Sequence, residues 1–294
     1  MALPETHSTS LGSPIDGSLQ GAVALPAVGP GFRFNPRRRA VARFGAVAMV
    51  QALMHAAAEV AREHPGGELT INDLGLQHGG PIRQHGSHQS GRDVDVLFYL
   101  LGTQGQPIPS VGAPLDPRGR GVDFKDLGVA RDDVRVRIDL PRTWAFVAAL
   151  LQAPQATVQR IFIAEHLRAL LLRQAQRAGT DKRWRVRFAE LTCQPGAPHD
   201  DHMHIRFFCG AHDIRAGCRD TYPVYPWWRK QLRTQGLKPV PAGPRRRQLP
   251  HALTTARAAR QAAEKRPMHA KVRAWLDKRE AWVKRPHPGR RYCR

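Results

Sequence analysis

The spacing of apolar residues predicts a mixture of helices and strands in the first three quarters of the chain. A helix is expected over 40–64, where apolar residues recur at helical spacing before Pro65-Gly66-Gly67 ends the pattern. Two shorter helices are expected over 141–151 and 165–177. Runs rich in β-branched and aromatic residues predict strands over 68–76, 94–101, 134–140, 158–164, 185–191 and 202–209.

The order of these elements favours one fold class. Strands and helices follow one another without the regular β–α–β alternation of a doubly wound sheet. We therefore expect an α+β fold, with a central, mostly antiparallel sheet flanked by helices. The motifs GxGxxG, GxxxxGK[ST] and GxSxG do not occur, so the sequence does not indicate a dinucleotide site, a phosphate loop or a serine hydrolase.

Positive charge is concentrated in the last quarter of the chain. The full sequence carries 46 Lys and Arg against 24 Asp and Glu, a net charge of +22. Residues 227–294 contain 20 of the basic residues but only three acidic ones, which gives this segment a charge of +17. We divide the chain into an N-terminal extended segment (1–35), a folded domain (36–226) and a basic helical tail (227–294), with a Pro- and Gly-rich hinge over 237–250.

Two structures of the basic tail are compatible with its sequence. Helix-forming residues predict short helices over 254–265 and 269–284, and the second carries a narrow apolar stripe that includes Val272, Trp275 and Trp282. That stripe would let the tail dock on the domain. The alternative is a solvated, partly disordered tail, as charge blocks of this kind often are. In both cases the charge indicates an anionic partner, which is a polymer, an acidic surface or nucleic acid.

Other features of the sequence bear on the protein class. No run of 18 uncharged apolar residues occurs, so no membrane span is expected. The hydrophobic fraction of 41% is ordinary for a folded chain, and four Cys are too few for a disulfide-rich miniature scaffold. Met1–Ser18 has no charged start followed by an apolar run, so it does not predict a signal peptide.

Histidines and aspartates form two groups that carry the candidate chemistry, in a chain with 14 His. The first group stands at the start of the strand predicted over 94–101 and comprises His85, His88, Asp93 and Asp95. The second stands at the start of the last predicted strand and comprises His199, His202 and His204. Each group lies beside a β-prone run, so both are expected on two strands of one sheet.

The spacing within these groups predicts a metal site. Residues two apart on a strand face the same side, so His202 and His204 share one face, and Asp93 and Asp95 share another. Two His and one Asp drawn from two strands would leave a fourth position open, which is typical of catalytic zinc. Structural zinc usually uses Cys, and the sequence contains no CxxC. The alternative is a set of solvated loop histidines in a His-rich protein.

Two sequence blocks resemble those of a known family. GGPIRQHGSHQSGRDVDV and HDDHMHIRFFC are similar to the signature blocks of the penicillin-insensitive murein endopeptidases, within the wider group of lysostaphin-type, D-alanyl-D-alanine and sonic-hedgehog-like metallopeptidases. The resemblance extends over about residues 10–218. It implies Zn²⁺ bound by His88, Asp95 and His204, with His85 as a further ligand candidate. It also implies His202 as the catalytic histidine, His199 as an active-site histidine and Asp93 as a carboxylate that orients a ligand imidazole.

The resemblance implies a substrate and a location. Members of the family cleave peptidoglycan cross-links between D-alanine and the side-chain amine of meso-diaminopimelate, so we expect a zinc metallopeptidase of the periplasm or cell envelope. The basic tail would then bind anionic envelope polymers, and nucleic acid is not expected as a partner. The alternatives are a D,D-carboxypeptidase on the same scaffold, or a non-catalytic protein that binds an anionic polymer or nucleic acid.

The cysteines follow the family pattern only in part. Cys209 and Cys218 match a disulfide pair of the family. Cys193 and Cys293 have no obvious counterpart, and a bridge between them would pin the basic tail to the body. An even number of Cys fits an oxidising compartment. The tail itself is unlike the end of the family's chains, so its function does not follow from the resemblance.

Overall fold

A computed structural model describes residues 7–83, 85–243, 264–285 and 293. The helices of these residues are α1 (Val47–Glu63), α2 (Leu140–Gln152), α3 (Glu165–Arg177), α4 (Lys182–Leu191), α5 (Ala211–Arg215), α6 (Pro226–Arg233) and α7 (Ala270–Lys284). In this described part of the chain, no helix is both long enough and apolar enough to cross a membrane. The helix predicted over 254–265 lies, for residues 254–263, outside the described residues.

The strands are short and numerous. They are β1 (Thr9–Ser13), β2 (Asp16–Gln20), β3 (Val23–Ala24), β4 (Val28–Gly29), β5 (Phe32–Phe34), β6 (Phe44–Gly45), β7 (Leu69–Ile71), β8 (Asp93–Leu97), β9 (Leu100–Leu101), β10 (Pro107–Ile108), β11 (Arg120–Asp123), β12 (Val134–Ile138), β13 (Val158–Phe162), β14 (Thr192–Cys193) and β15 (His202–Phe207). Seven of them form the central sheet, in the order β14-β13-β15-β8-β7-β5-β4. The remaining strands form smaller sheets around it.

The central sheet is mixed but mostly antiparallel. The pairs β13–β14 and β5–β7 are parallel, and the other four pairs are antiparallel. Helices α1, α2 and α3 pack in sequence against one another beside the sheet. Side chains with almost no exposure fill the space between, among them Leu53, Val96, Phe146 and Ile205. This arrangement confirms the predicted α+β fold class.

The strand predicted over 185–191 is wrong, because these residues belong to helix α4. Arg and apolar residues alternate here as they do in a strand, yet Val186 is exposed and only Phe188 and Leu191, three positions apart, are buried. Asp181 caps the helix by accepting a hydrogen bond from the backbone N–H of Arg183. The cap and the helical spacing of the two buried residues therefore outweigh the local alternation.

The helix predicted over 40–64 starts later than its periodicity indicates. Residues 40–42 form a short 3₁₀ turn, and Phe44 and Gly45 form strand β6, which pairs with β3. Helix α1 begins only at Val47. A pattern of apolar residues does not distinguish the first turn of a buried helix from a buried strand that leads into it.

Residues 9–34 contribute two hairpins. Strands β1 and β2 form one of them, and β4 and β5 form the other, at the edge of the central sheet. The first hairpin touches the loop that precedes β8: the Ser10 hydroxyl donates to the carbonyl of Ser90, and the Gln89 N–H donates to the carbonyl of Pro14. The first hairpin thus supports the loop that carries His88. The division of the chain at residues 36 and 227 stays a prediction.

Two disulfides form, Cys209–Cys218 and Cys193–Cys293. The pairing that the resemblance implied for Cys209 and Cys218 is confirmed, and it closes the turn after β15. The second bridge spans 100 residues and joins the end of the tail to β14. The pair implied for Cys209 and Cys218 and the bridge that would pin the tail to the body are therefore both present in the folded chain.

Candidate metal centre

Two neighbouring strands bring the histidine groups together. Strands β8 and β15 pair antiparallel, and His204 lies directly opposite Asp95. Arg206 lies opposite Asp93 in the same register, although the two are 113 positions apart in the sequence. Opposite residues of an antiparallel pair have Cβ atoms about 5 Å apart. The sheet itself therefore assembles the site from two distant motifs.

His88 is placed by an unusual backbone conformation and a buried hydrogen bond. The residue is fully buried, and its φ of 71° lies in the left-handed region that side chains other than glycine rarely adopt. Its backbone N–H donates to Asp93 Oδ2 at 3.0 Å, and its ring Nδ1–H donates to the carbonyl of Leu74 at 2.7 Å. Since a carbonyl only accepts, Nε2 has the free lone pair, and it lies 3.5 Å from Asp95 Oδ1.

His204 and Asp95 face His88 across the sheet. Nδ1 of His204 lies 3.2 Å from Asp95 Oδ1, and its Nε2 lies 3.4 Å from Asp93 Oδ2. The rings of His88 and His204 meet edge to face, with centroids 4.6 Å apart. Donor atoms of two overlapping groups lie within 4.8 Å of one another: His85, His88 and Asp95, and His88, Asp93 and His204.

His85 joins the cluster from the loop before β8. Its Nε2 lies 2.9 Å from Asp73 Oδ2, and its Nδ1 lies 3.5 Å from Asp95 Oδ2. Asp73 also lies 3.6 Å from a guanidinium nitrogen of Arg38. A carboxylate on the far nitrogen of a histidine fixes the ring and its tautomer, which is the usual support of a metal-ligating imidazole.

The carboxylate of Asp93 lies in a buried ion pair. Arg206 binds both of its oxygens, with Nε at 2.7 Å and Nη2 at 2.9 Å. Burial alone would raise the pKa of the Asp93 carboxyl, but the charges of Arg206 and His204 outweigh burial and lower the pKa well below its usual range. Asp93 therefore holds the backbone of His88 by a hydrogen bond and lies beside the ring of His204.

The buried polar atoms that lack partners test whether a metal fits. Among the described residues, the side-chain atoms His88 Nε2, Asp95 Oδ1 and His204 Nε2 are buried and have no hydrogen-bond partner. Leaving such atoms unsatisfied costs about 1–3 kcal/mol each. Two imidazoles and a carboxylate are a donor set that binds Zn²⁺. A cation between these three atoms would therefore satisfy their unpaired lone pairs.

His202 stands beside the donor atoms, with a fixed tautomer. Its Nδ1–H donates to Asp201 Oδ1 at 2.6 Å, so its Nε2 faces the cluster at 3.7 Å from Asp95 Oδ1. Burial would lower the pKa of His202, but the charges of Asp201 and Asp95 outweigh burial and raise it. An imidazole held in this way can exchange a proton at Nε2 with a group in the site.

His199 borders the cluster from the loop before β15. Its φ of 52° is the second left-handed value at a non-glycine residue of the described chain, and its Nδ1–H donates to the carbonyl of Ala197 at 2.7 Å. Its ring centroid lies 4.8 Å from that of His202 and 6.0 Å from that of His204. Burial and the charges of these two histidines lower the pKa of His199, so its ring favours the neutral form.

All seven residues singled out in the sequence thus lie in one cluster, but the sequence reasoning missed three supporting groups. These are Asp73, Arg206 and Asp201. Arg206 is two residues after His204 on the same face of β15, so strand alternation was a signal for it, and Asp201 stands next to His202 in the sequence, just before that strand. Asp73 reaches His85 only through the pairing of β7 with β8, and no local pattern indicates it.

Comparisons with known proteins show which family the chain is similar to. Residues 10–228 match the family described as penicillin-insensitive murein endopeptidase. A protein of that name from Klebsiella pneumoniae is 30% identical over 224 residues, which cover 74% of this chain and 72% of the relative. Proteins of the same name from Salmonella heidelberg and Salmonella typhi are 28% identical over 217 residues, covering 72% of this chain and 69% of each relative. All seven candidate site residues fall inside the matched range.

Proposed function

The chain belongs to the family of penicillin-insensitive murein endopeptidases, and from this premise we propose that it is a zinc-dependent hydrolase of peptidoglycan cross-links. The bond would be the amide between D-alanine and the side-chain amine of meso-diaminopimelate. Peptidoglycan lies outside the cytoplasm, so the proposal includes action in the periplasm or cell envelope. The two disulfides agree with an oxidising compartment.

One observation carries the metal assignment. His88 Nε2, Asp95 Oδ1 and His204 Nε2 are buried without a hydrogen-bond partner, the carbonyl of Leu74 holds His88 from its Nδ1, and His204 lies opposite Asp95 in the β8–β15 register. We propose His88, Asp95 and His204 as the ligands of Zn²⁺. His85 is the fourth candidate, because its Nδ1 points to Asp95 while Asp73 occupies its Nε2. Histidine and carboxylate donors of this kind match catalytic zinc.

The side chains around this point divide the chemistry of amide hydrolysis between them. Zn²⁺, when bound, supplies a Lewis acid that polarises the scissile carbonyl and makes water acidic enough to attack at neutral pH. His202 would take a proton at Nε2 during attack and return it to the departing amine, since Asp201 keeps its Nδ1 protonated. His199, whose ring favours the neutral form, would contact the substrate at the rim of the site.

Hydrolysis of a defined substrate tests the proposal. The full chain, loaded with zinc, is incubated with soluble cross-linked muropeptide dimers, with and without a chelator that is later neutralised by added zinc. We expect conversion of dimers to monomers that the chelator stops and zinc restores. Monomer formation that persists in the chelator would contradict the zinc assignment, and no conversion by the zinc-loaded chain would contradict the proposed reaction.

The products of the same incubation separate two peptidase reactions. Cleavage of the cross-link yields two monomers with their stem peptides intact. A D,D-carboxypeptidase would instead release free D-alanine from peptides that end in D-alanyl-D-alanine. We propose the first reaction because the relatives carry the name of an endopeptidase.

The basic tail adds a proposal about retention. On α7, the side chains of Lys271, Arg273 and Lys278 are exposed. We propose that the tail's charge of +17 binds anionic polymers of the envelope, rather than nucleic acid. Binding of the full chain to isolated sacculi is then expected to weaken as salt rises, because exposed charges are screened. Binding that is independent of salt would contradict this role.

A further inference from the structure

We infer that Arg279, in the C-terminal helix α7, is a positioning residue for His202 and acts through Asp201. The inference rests on the proposed function, in which His202 transfers protons. The family match ends at residue 228, so α7 lies beyond the part of the chain that the family comparison covers. The basic tail would then have a role at the reaction centre in addition to any role in retention.

Helix α7 is docked on the domain at both of its ends. At its start, the backbone N–H of His269 donates to the carbonyl of Leu127 at 2.8 Å, and Val272 is 1% exposed. Near its end, the ring of Trp282 meets the ring of His166 edge to face, with centroids 5.5 Å apart. The apolar stripe predicted from the sequence therefore faces the domain, and the docked alternative for this part of the tail is confirmed.

Docking places the guanidinium of Arg279 against two successive aspartates. Its Nη2 lies 2.7 Å from Asp200 Oδ1 and 2.6 Å from Asp201 Oδ2, and its Nε donates to Asp200 Oδ1 at 3.0 Å. Trp275 covers the guanidinium at 4.0 Å, and its indole N–H donates to the other oxygen of Asp200 at 3.3 Å. Arg279 is thus bound by charge, hydrogen bonds and ring stacking at once.

The two oxygens of Asp201 connect this pair to the reaction centre. Oδ2 pairs with Arg279, while Oδ1 accepts the Nδ1–H of His202 at 2.6 Å. A carboxylate pinned on one oxygen cannot rotate freely, so the second oxygen fixes the plane and tautomer of the imidazole. Arg279 and Asp201 thus hold the reactive ring of His202 in place, with its Nε2 facing Asp95.

Electrostatics point the same way. Burial would raise the pKa of the Asp201 carboxyl, but the charges of Arg279 and His202 outweigh burial and lower it below its usual range. Burial likewise opposes the charge of Arg279, whose pKa is nevertheless raised by Asp201 and Asp200. Without the guanidinium, two adjacent carboxylates would repel each other beside His202, and the ring would lose its fixed acceptor.

Steady-state kinetics on soluble muropeptide dimers test the inference in the full chain. Arg279→Ala is expected to lower kcat by about 10- to 100-fold, as loss of a supporting shell does, with KM and bound zinc unchanged. Arg279→Lys should recover part of kcat, because Lys supplies the charge without the two-pronged geometry. The matched control is Arg273→Ala, which removes an exposed arginine of the same helix that takes no part in the pair with Asp200 and Asp201.

A double-mutant cycle asks whether Arg279 acts through Asp201. Asp201→Asn is expected to lower kcat, and Arg279→Ala added to it should cost little more, because both changes break one chain of contacts. If the two losses multiply, or if Arg279→Ala loses no more kcat than Arg273→Ala, the inference is overturned. A fall in bound zinc that accounts for the loss of kcat would overturn it as well.

A spectroscopic readout separates this inference from the proposed reaction. In zinc-free protein labelled with ¹⁵N histidine, we expect a low-field Nδ1–H proton for His202 that is lost in Asp201→Asn and broadened or shifted in Arg279→Ala, but unchanged in Arg273→Ala. If the Nδ1–H signal of His202 is the same in Arg279→Ala as in the wild type, the positioning role is overturned, whatever the activity of the variant. If the wild-type chain does not cleave dimers while the signal responds as expected, the proposed reaction is contradicted. The positioning of His202 by Arg279 through Asp201 is then still supported.

Discussion

The two sides of the histidine cluster are built in different ways. On the sheet side, His88, Asp95 and His204 are fixed by backbone: the β8–β15 register, a left-handed residue and a hydrogen bond to a main-chain carbonyl. On the helix side, the backbone of His202 also belongs to β15, but its ring is fixed by a chain of side chains that ends at Arg279.

We expect the two sides of the cluster to control different properties of the protein. Backbone pairing across a central sheet is hard to disturb without unfolding, so the sheet side is suited to a metal site that must keep its shape. Side-chain contacts to a docked helix are changed by single substitutions. We therefore expect changes on the sheet side to alter metal binding, and changes on the helix side to alter turnover while the metal stays bound.

The largest effect is expected for His204→Ala, on the sheet side. Loss of a proposed ligand should remove bound zinc and lower the turnover of muropeptide dimers by about 1000-fold or more, since metal assistance contributes several kcal/mol. Zinc content by elemental analysis and dimer cleavage measure the two consequences. His55→Ala, at an exposed position of α1, is the matched control and should change neither. Full zinc content in His204→Ala would remove this residue from the ligand set.

A smaller effect on the same side is expected for Asp93→Asn. The amide cannot pair with Arg206 as the carboxylate does, so the rings of His88 and His204 lose part of their support. Zinc affinity, measured by competition with a chromophoric chelator, should fall by about 10- to 100-fold. Asp16→Asn, at the exposed first residue of β2, should leave the affinity unchanged. An unchanged affinity in Asp93→Asn would show that register alone places the ligands.

On the helix side, Val272→Asp should release α7 without touching the cluster. Val272 is 1% exposed, and a buried, unpaired carboxylate is costly, so the helix should undock and take Arg279 away from Asp201. We expect kcat to fall by about tenfold or more, as for loss of a supporting shell, while zinc affinity is kept. Ala274→Asp adds the same charge at an exposed position of α7 and should keep kcat. Loss of zinc in Val272→Asp would break the distinction between the two sides.

The smallest effect on turnover is expected for the paired change Cys193→Ser and Cys293→Ser. The bridge closes 100 residues, so its loss should lower the stability of the folded chain by about 2–4 kcal/mol and lower Tm. Docking of α7 through Val272 and Arg279 does not need the bridge, so kcat at moderate temperature should change little. Thermal unfolding and dimer cleavage measure the two quantities. A loss of kcat as large as that of Val272→Asp would show that the disulfide, rather than the packing of the helix, keeps Arg279 in place.

The sequence predicted the sheet side well because its chemistry is local. HxxHxxxxxxD before one strand and HxH on another are short motifs, and strand alternation alone puts their side chains on common faces. The position of Asp93 on the same face as Asp95 followed in the same way. The α+β class followed from the order of strands and helices, although 185–191 is helical because Asp181 caps α4 and buried residues there are three apart.

The helix side was not predicted, because its contacts are long-range. The stripe at Val272 and Trp275 indicated that the tail has a face to bury, but nothing in the sequence indicated which surface it covers. The contact from Arg279 to Asp201 spans 78 positions and depends on the packing of α7, so no periodicity or motif carries it. Asp73 was not predicted for the same reason, since only the pairing of neighbouring strands brings it to His85.

The most direct test of the central claim is an anomalous difference map at the zinc edge, from crystals of the full chain that cleaves muropeptide dimers. We expect one strong peak enclosed by His88 Nε2, the Asp95 carboxylate and the ring of His204, with His202 beside it and Arg279 on the far side of Asp201. A peak elsewhere in the chain, or no peak in protein that still cleaves dimers, would contradict the claim.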